Sequence, residues 1–134
     1  MKALTVPAER GSLSQVQAFL EAELESAGCS PRAQTQLQIA AEEIFINIAS
    51  YAYAPGSGEA VVEVSCADGV LTLTFIDAGS PFDPTAASDA DTSPDALMSR
   101  TGGLGILMAR RMTDGMTYAR TDGKNVLTIR KLLK

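Results

Sequence analysis

Two stretches of this sequence place polar side chains where burial would require a partner. Glu43 and Asn47 lie four residues apart in a nearly apolar stretch, so on a helix both project from one face, one turn apart. Asp77 ends an alternating stretch that is typical of a strand, and Gly79 with the prolines after it stops regular structure. A carboxylate at the end of a buried strand is costly unless it has a partner. Asp77 is therefore either a cap of the local turn or a binding group.

A third stretch, Gly103-Leu104-Gly105, precedes a predicted helix. Neither the Rossmann nor the P-loop glycine fingerprint is present, and no Walker lysine follows. Glycines at this place can still bring bare backbone N–H groups and a helix N-terminus up to an anion. Taken alone, this glycine pair is a weak signal.

The elements that would position these residues follow from hydrophobic periodicity and turn residues. Turn pairs at Asp68-Gly69 and Asp122-Gly123 predict two hairpins, and Ser30-Pro31 predicts a helix start. The third helix has Leu107, Met108 and Met112 as candidate core residues. The predicted strands are 3–6, 61–66, 70–76, 116–120 and 125–132, and the predicted helices are 12–27, 31–51 and 106–113.

This order predicts an α+β two-layer sandwich, with a mixed, mostly antiparallel sheet and the helices on one of its faces. We expect residues 1–134 to form a single domain, since the chain is long enough for one core and shows no repeat. The segment from Thr85 to Arg100 is rich in Ala, Ser, Asp and Thr. A long segment of this kind inside a compact domain is usually functional, although a surface loop without a role is the alternative.

Composition restricts the class of function. The net charge of −5 argues against a nucleic-acid surface, which needs clustered Lys and Arg. The absence of histidine excludes imidazole acid–base chemistry and a phospho-accepting histidine within the chain. Cys29 and Cys66 are predicted to be small buried residues in a reducing compartment. No signal peptide or apolar run long enough for a membrane is present, so we expect a cytoplasmic protein.

In this order and spacing, the three stretches resemble the Bergerat-fold ATPases of the gyrase, heat-shock chaperone, histidine kinase and MutL superfamily. The sequence resembles more closely the small anti-sigma factor serine kinases, in which Phe-Asp-Pro follows the aspartate–glycine element, as Phe82-Asp83-Pro84 does here. The resemblance covers nearly the whole chain. It implies the histidine kinase-like ATPase fold, with ATP and Mg²⁺ as ligands.

The resemblance also implies a role for each site residue. Asn47 would ligate Mg²⁺, and Glu43 would be the catalytic base or would orient the attacking hydroxyl. Asp77 would accept a hydrogen bond from the adenine amino group, and Gly79 would allow its close approach. The remaining residues expected to contact the nucleotide are Phe82, Gly103, Leu104 and Gly105, and residues 85–102 would be the ATP lid. One of Arg100, Arg110 and Arg111 could reach the phosphates.

Two positions depart from the family pattern. Tyr51 stands where many relatives carry histidine, four residues after the asparagine. Near the last hairpin relatives often have threonine after the glycine, whereas this chain has Lys124 and Asn125. Whether Asn125 contacts the base in its place is left open by the sequence.

The function implied by the resemblance is that of an ATP-binding anti-sigma regulatory factor with serine/threonine-protein kinase activity. Such a protein would sequester a sigma factor and phosphorylate an anti-anti-sigma (STAS-type) partner. A homodimer is plausible, and no membrane or direct nucleic-acid partner is expected. The alternatives are a nucleotide-responsive binding module that sequesters a regulator without phosphoryl transfer, a histidine kinase catalytic domain acting in trans, and an α+β domain whose polar residues are incidental.

Overall fold

The structure is a computed structural model and describes residues 1–85 and 105–134. Its elements follow the predicted order of strand, two helices, hairpin, helix and hairpin. In chain order they are β1 (Lys2–Pro7), a 3₁₀ turn (Arg10–Ser12), α1 (Leu13–Ser26), α2 (Pro31–Asn47), a π-helical turn (Ile48–Ala52), β2 (Glu59–Ala67), β3 (Val70–Asp77), α3 (Gly105–Arg111), β4 (Gly115–Thr121) and β5 (Lys124–Leu132).

The five strands form one sheet in the order β1-β2-β3-β5-β4. All four pairings of these strands are antiparallel. Both predicted hairpin turns are present, with left-handed backbone at Asp68 and Gly69 and again at Asp122 and Gly123. This is the conformation that matches a two-residue turn to the twist of its strands.

One face of the sheet is buried beneath the helices. Every second residue of β3 is buried, from Leu71 through Leu73 and Phe75 to Asp77. The helices contribute fully buried side chains to the same core, among them Leu20 of α1 and Leu37, Ala40, Ala41, Ile44 and Phe45 of α2. The predicted α+β two-layer architecture is confirmed.

The second helix begins as predicted but ends differently. The Ser30 hydroxyl accepts a hydrogen bond from the Ala33 amide at 3.1 Å, and Pro31 occupies the first turn. The α-helix was expected to reach residue 51, but it ends at Asn47 and continues as the π-helical turn. The carbonyl of Ala52, the last residue of this turn, accepts a hydrogen bond from the Ser80 amide at 2.8 Å, in the loop after β3.

The expected core of the third helix is partly wrong. Ile106 and Ala109 are its buried residues, because they share the face that packs on α2. Met108, a predicted core residue, is 39% exposed on the opposite side. Leu107 and Met112 are half-buried. A helix of two turns has room for only a narrow buried stripe, and a single apolar stretch does not show which residues form it.

The two cysteines have different environments. Cys29 is buried as predicted, and burial raises the pKa of its thiol, with a smaller contribution from nearby Cys66. Cys66 was also predicted to be buried, but it is exposed, as are all three residues at the end of β2. Only the first part of that strand lies under the helices. Among the described helices, none has the length and apolar character needed to cross a bilayer.

Two leucines with opposite burial allow the core to be tested. Leu20 is 0% exposed and Leu132 is 52% exposed. We expect Leu20→Ala to lower the free energy of unfolding by about 2–5 kcal/mol, because it removes apolar contacts and leaves a cavity. Leu132→Ala makes the same chemical change at the surface and should cost far less. Urea denaturation of both variants measures the difference, and equal losses would contradict this assignment of the core.

Candidate functional site

The side chains of Glu43 and Asn47 are held by α2 as the spacing predicted, but their burial differs. Asn47 is 7% exposed and lines a pocket between α2 and the sheet. Its Nδ2 is buried and has no hydrogen-bond partner in the described residues. Buried amides are nearly always bonded, so an unsatisfied one that lines a pocket indicates a ligand position.

Asp77 lies across this pocket from α2, at the end of β3. It is 6% exposed, because β3 lies at the centre of the sheet and its inward positions face the helices. Its Oδ1 accepts two hydrogen bonds at 2.9 Å, from the Gly79 amide and from Asn125 Nδ2. No donor among the described residues bonds Oδ2. The carboxylate is thus held by one oxygen, and the other can accept a bond from a ligand.

The loop after β3 is fastened to the end of the second helix. Gly79 approaches Ala52 so closely that a Cβ on residue 79 would lie 2.1 Å from the Ala52 carbonyl oxygen. The Gly79 carbonyl in turn accepts a hydrogen bond from Arg120 Nη1 at 2.8 Å. Tyr53 adds a further attachment, since its hydroxyl accepts a bond from the Ala78 amide at 2.8 Å. Glycine is required here by space, and the loop is anchored on both sides.

The pocket itself is mostly apolar. Of the residues that the structure describes, Asn47, Asp77 and Asn125 bring amide or carboxylate groups to it. An apolar pocket with a few convergent polar groups is typical of a small-molecule or cofactor site. The apolar lining consists of Ile44, Ile48, Phe75, Phe82, Pro84, Ile106, Tyr118 and Leu127.

Glu43 lies one helical turn from Asn47, beside the start of α3. A Cβ on Gly105, the first residue of α3, would lie 2.0 Å from Glu43 Oε2. The glycine therefore lets the α3 backbone pack directly against this carboxylate. Glu43 is half-buried, so a group arriving from solvent can reach it.

The structure brings most of the predicted site residues together. Asn47, Asp77 and Phe82 line one pocket, Gly79 packs behind Asp77, and Gly105 lies against Glu43. Gly103, Leu104, Arg100 and the predicted lid beyond Thr85 lie outside the described residues. Tyr51 does not line the pocket; it is 37% exposed in the π-helical turn.

Sequence reasoning left the role of Asn125 in the last hairpin open and missed Tyr118 and Arg120. Tyr118 lines the pocket, Arg120 fastens the loop, and Asn125 bonds Asp77 directly. Asn125 is the register partner of Asp77 in the β3–β5 pairing. The hairpin signal at Asp122-Gly123 places Asn125 near the start of a strand, but only the pairing of β3 with β5 shows which residue faces Asp77.

The residues present are suited to one magnesium ion bound together with a phosphorylated ligand. The Asn47 amide oxygen is a hard donor of the kind that Mg²⁺ takes. The nitrogen of the same amide has no hydrogen-bond partner among the described residues, so the described part of the protein does not hold this amide in one orientation. In the part of the chain that the structure describes, no three acidic or cysteine side chains cluster as a metal cage. Mg²⁺ commonly takes most of its ligands from phosphates and water, so a single protein ligand fits this chemistry.

Comparisons with known proteins show the family and the fold. The family model of the histidine kinase-like ATPase domain matches residues 6–131. The serine/threonine-protein kinase BtrW of Bordetella bronchiseptica is 30% identical over 101 residues, which are 75% of this chain and 71% of BtrW.

Solved structures share the fold at low sequence identity. A chain of the SiaB–SiaC complex from Pseudomonas aeruginosa has a TM-score of 0.62 at 18% identity, with 98% of this chain and 89% of that chain covered. The Acinetobacter baumannii histidine kinase AdeS has a TM-score of 0.56 at 12% identity, with 100% of this chain and 70% of that chain covered.

The close approach of Gly79 to Ala52 can be tested with one methyl group. We expect Gly79→Ala to lower the free energy of unfolding by roughly 1–3 kcal/mol, because the new Cβ meets a backbone oxygen that cannot move aside easily. Gly11→Ala is the matched control, since a Cβ at residue 11 meets nothing within 4 Å. Chemical denaturation measures both, and a neutral Gly79→Ala would contradict the packing of this loop.

Proposed function

Because the chain belongs to the histidine kinase-like ATPase family, as its residues predicted, we propose that the pocket beside α2 binds ATP as the phosphoryl donor for a protein serine. Family membership implies ATP binding, and the relationship to BtrW supports a kinase-type activity. The observation that carries the proposal is Asp77, a buried carboxylate with one oxygen held by the protein and the other left for a ligand.

Adenine recognition follows from this arrangement. The apolar walls of the pocket, among them Ile48 and Phe82, would sandwich the flat base. Asp77 Oδ2 would accept a hydrogen bond from the exocyclic amine of adenine. A base without that amine would leave the buried carboxylate unpaired, so the pocket would select adenine over bases with a carbonyl at this position.

The phosphates would extend from the base toward Asn47 and the start of α3. The Asn47 side-chain oxygen would hold Mg²⁺, which neutralises phosphate charge when bound. Gly105 supplies a bare backbone at the start of α3, and we propose that Gly103 and Leu104 continue this contact. We also propose that residues 85–102 form the lid that closes over the bound nucleotide.

We propose that Glu43 acts on the attacking hydroxyl. It lies one turn from Asn47 and its Oε2 lies beside Gly105, so it would be near the proposed phosphates. In the proposed reaction the serine Oγ attacks the γ-phosphorus while the bond from that phosphorus to the bridging oxygen breaks, and ADP leaves. Glu43 would take the serine proton, or would orient the hydroxyl for the attack.

The partner is proposed to be a regulatory protein. BtrW is named as a serine/threonine-protein kinase, and the SiaB–SiaC structure contains a second protein bound to a related fold. We propose that this chain phosphorylates an anti-anti-sigma protein of the STAS type and sequesters a sigma factor. A homodimer and a cytoplasmic location belong to the same proposal.

Asp77 can be tested with a nearly isosteric change. We expect Asp77→Asn to weaken ATP binding by roughly 10- to 100-fold, the value of a hydrogen bond to a charged group. Asp68→Asn makes the same change in the β2–β3 turn, at the opposite end of β3, and should leave the affinity unchanged. Calorimetric titration with Mg-ATP measures both, and unchanged affinity in Asp77→Asn would refute the assigned role.

The role of Glu43 is separable from binding. We expect Glu43→Gln to bind Mg-ATP within a few-fold of the wild-type affinity and to transfer phosphate at least 100-fold more slowly, because it cannot accept the serine proton. Glu42→Gln is the control, since Glu42 lies toward α1 and bonds Gln17 at 3.5 Å.

The measurement is transfer of labelled γ-phosphate to a STAS-type partner isolated with the wild-type protein. A wild-type protein that binds Mg-ATP and this partner but transfers no phosphate would favour the alternative, a nucleotide-responsive binding module without catalysis.

A further inference from the structure

Asn125 holds a central position in the wall of the pocket, although the comparisons do not point to it. It is 6% exposed, lies in β5 directly opposite Asp77, and has its amide between β3, β4 and the loop after β3. A buried side-chain amide can donate two hydrogen bonds and accept two. Asn125 can bind a base only if one of these donor or acceptor positions is not already bonded within the protein.

All four capacities are used within the protein. Nδ2 donates to Asp77 Oδ1 and to the Ser80 carbonyl, both at 2.9 Å. Oδ1 accepts a short hydrogen bond of 2.5 Å from the Tyr118 hydroxyl and a longer one of 3.4 Å from the Phe82 amide. A direct bond from Asn125 to a bound base would therefore require the loss of one of these partners.

These bonds fix the Asp77 carboxylate in two respects. Asn125 and the Gly79 amide both bond Oδ1, so the carboxylate cannot rotate about its Cβ–Cγ bond without breaking two hydrogen bonds. The Asn125 side-chain amide also bonds Ser80 and Phe82, and it thereby holds the loop after β3 against β5. Oδ2 is thereby kept in one place, facing the pocket.

We infer that Asn125 is a positioning residue that sets base selectivity: it does not bind the nucleotide but holds Asp77 so that only one carboxylate oxygen faces the base. This inference rests on the proposed function, in which Asp77 reads adenine. With Asn125 removed, the carboxylate rotates between orientations, and the distinction between an amine and a carbonyl on the base is weakened. Base selectivity thus depends on a residue that does not touch the base.

Tyr118 extends this arrangement. Its ring lines the pocket, and its hydroxyl fixes the orientation of the Asn125 amide by donating to Oδ1. If the amide turned over, Oδ1 would face Asp77 Oδ1 and two acceptors would oppose each other. Loss of the Tyr118 hydroxyl should therefore weaken base selectivity in the same direction, but by less than loss of the Asn125 amide.

The test compares ATP with inosine triphosphate, which carries a carbonyl in place of the adenine amine. Titrations with both nucleotides and Mg²⁺ use wild type, Asn125→Leu, Tyr118→Phe and the control Thr128→Val. Thr128 lies on the same strand and pairs with Thr74. We expect wild type and the Thr128→Val control to bind ATP more tightly than inosine triphosphate. In Asn125→Leu the ratio of the two affinities should fall about tenfold, because ATP binding weakens more than inosine triphosphate binding. Tyr118→Phe should lose a part of it.

Each outcome decides the matter. A parallel loss for both nucleotides, with the ratio kept, would show that Asn125 only supports the fold and would overturn the inference. If Asn125→Leu does not fold, Tyr118→Phe decides, and an unchanged ratio in that variant overturns it. If wild-type protein binds ATP and Asp77→Asn weakens that binding while Asn125→Leu keeps the ratio, the proposed function stands and this inference fails. If wild-type protein binds neither nucleotide, both fail.

Discussion

The pairing of Asp77 with Asn125 across β3 and β5 is the interaction on which the rest of the site depends. A carboxylate buried at the end of a central strand is tolerated only with hydrogen-bond donors. The Gly79 amide and the Asn125 side chain provide them on one oxygen. The same two donors bring together the loop after β3 and the last hairpin. The hydrogen bonds that satisfy the buried carboxylate therefore also shape the pocket.

The second helix supplies the opposite wall, and its irregular end serves this purpose. The π-helical turn after Asn47 presents the Ala52 carbonyl to the loop that carries Gly79 and Ser80. Backbone contacts thus join the two sides of the pocket, and side-chain hydrogen bonds from Arg120 and Tyr53 add to them. An arrangement of this kind is preorganised, so little ordering would be needed when a ligand binds.

The two ends of the pocket differ in chemistry. The end at Asp77 has mostly apolar walls and a carboxylate held by hydrogen bonds between protein groups. The end at Glu43 and Asn47 has an unsatisfied amide and a half-buried carboxylate beside the bare backbone of Gly105. The first is suited to recognise a base, and the second to position a metal ion and a reacting phosphate. Since one fold can serve many functions, the proposed function rests on the chemistry of these side chains as well as on family membership.

The sequence alone determined the order of the elements, the two hairpin turns and the family. These features depend on local periodicity, turn residues and spacing, which are present in the chain before it folds. The pairing of Glu43 with Asn47 likewise follows from helical geometry. Only the tertiary structure decided that β5 lies beside β3 and that Asn125 therefore faces Asp77. It also decided that α3 buries Ile106 while exposing Met108, and that Cys66 extends beyond the helical layer. These features depend on contacts between residues far apart in the chain, and local patterns do not specify such contacts.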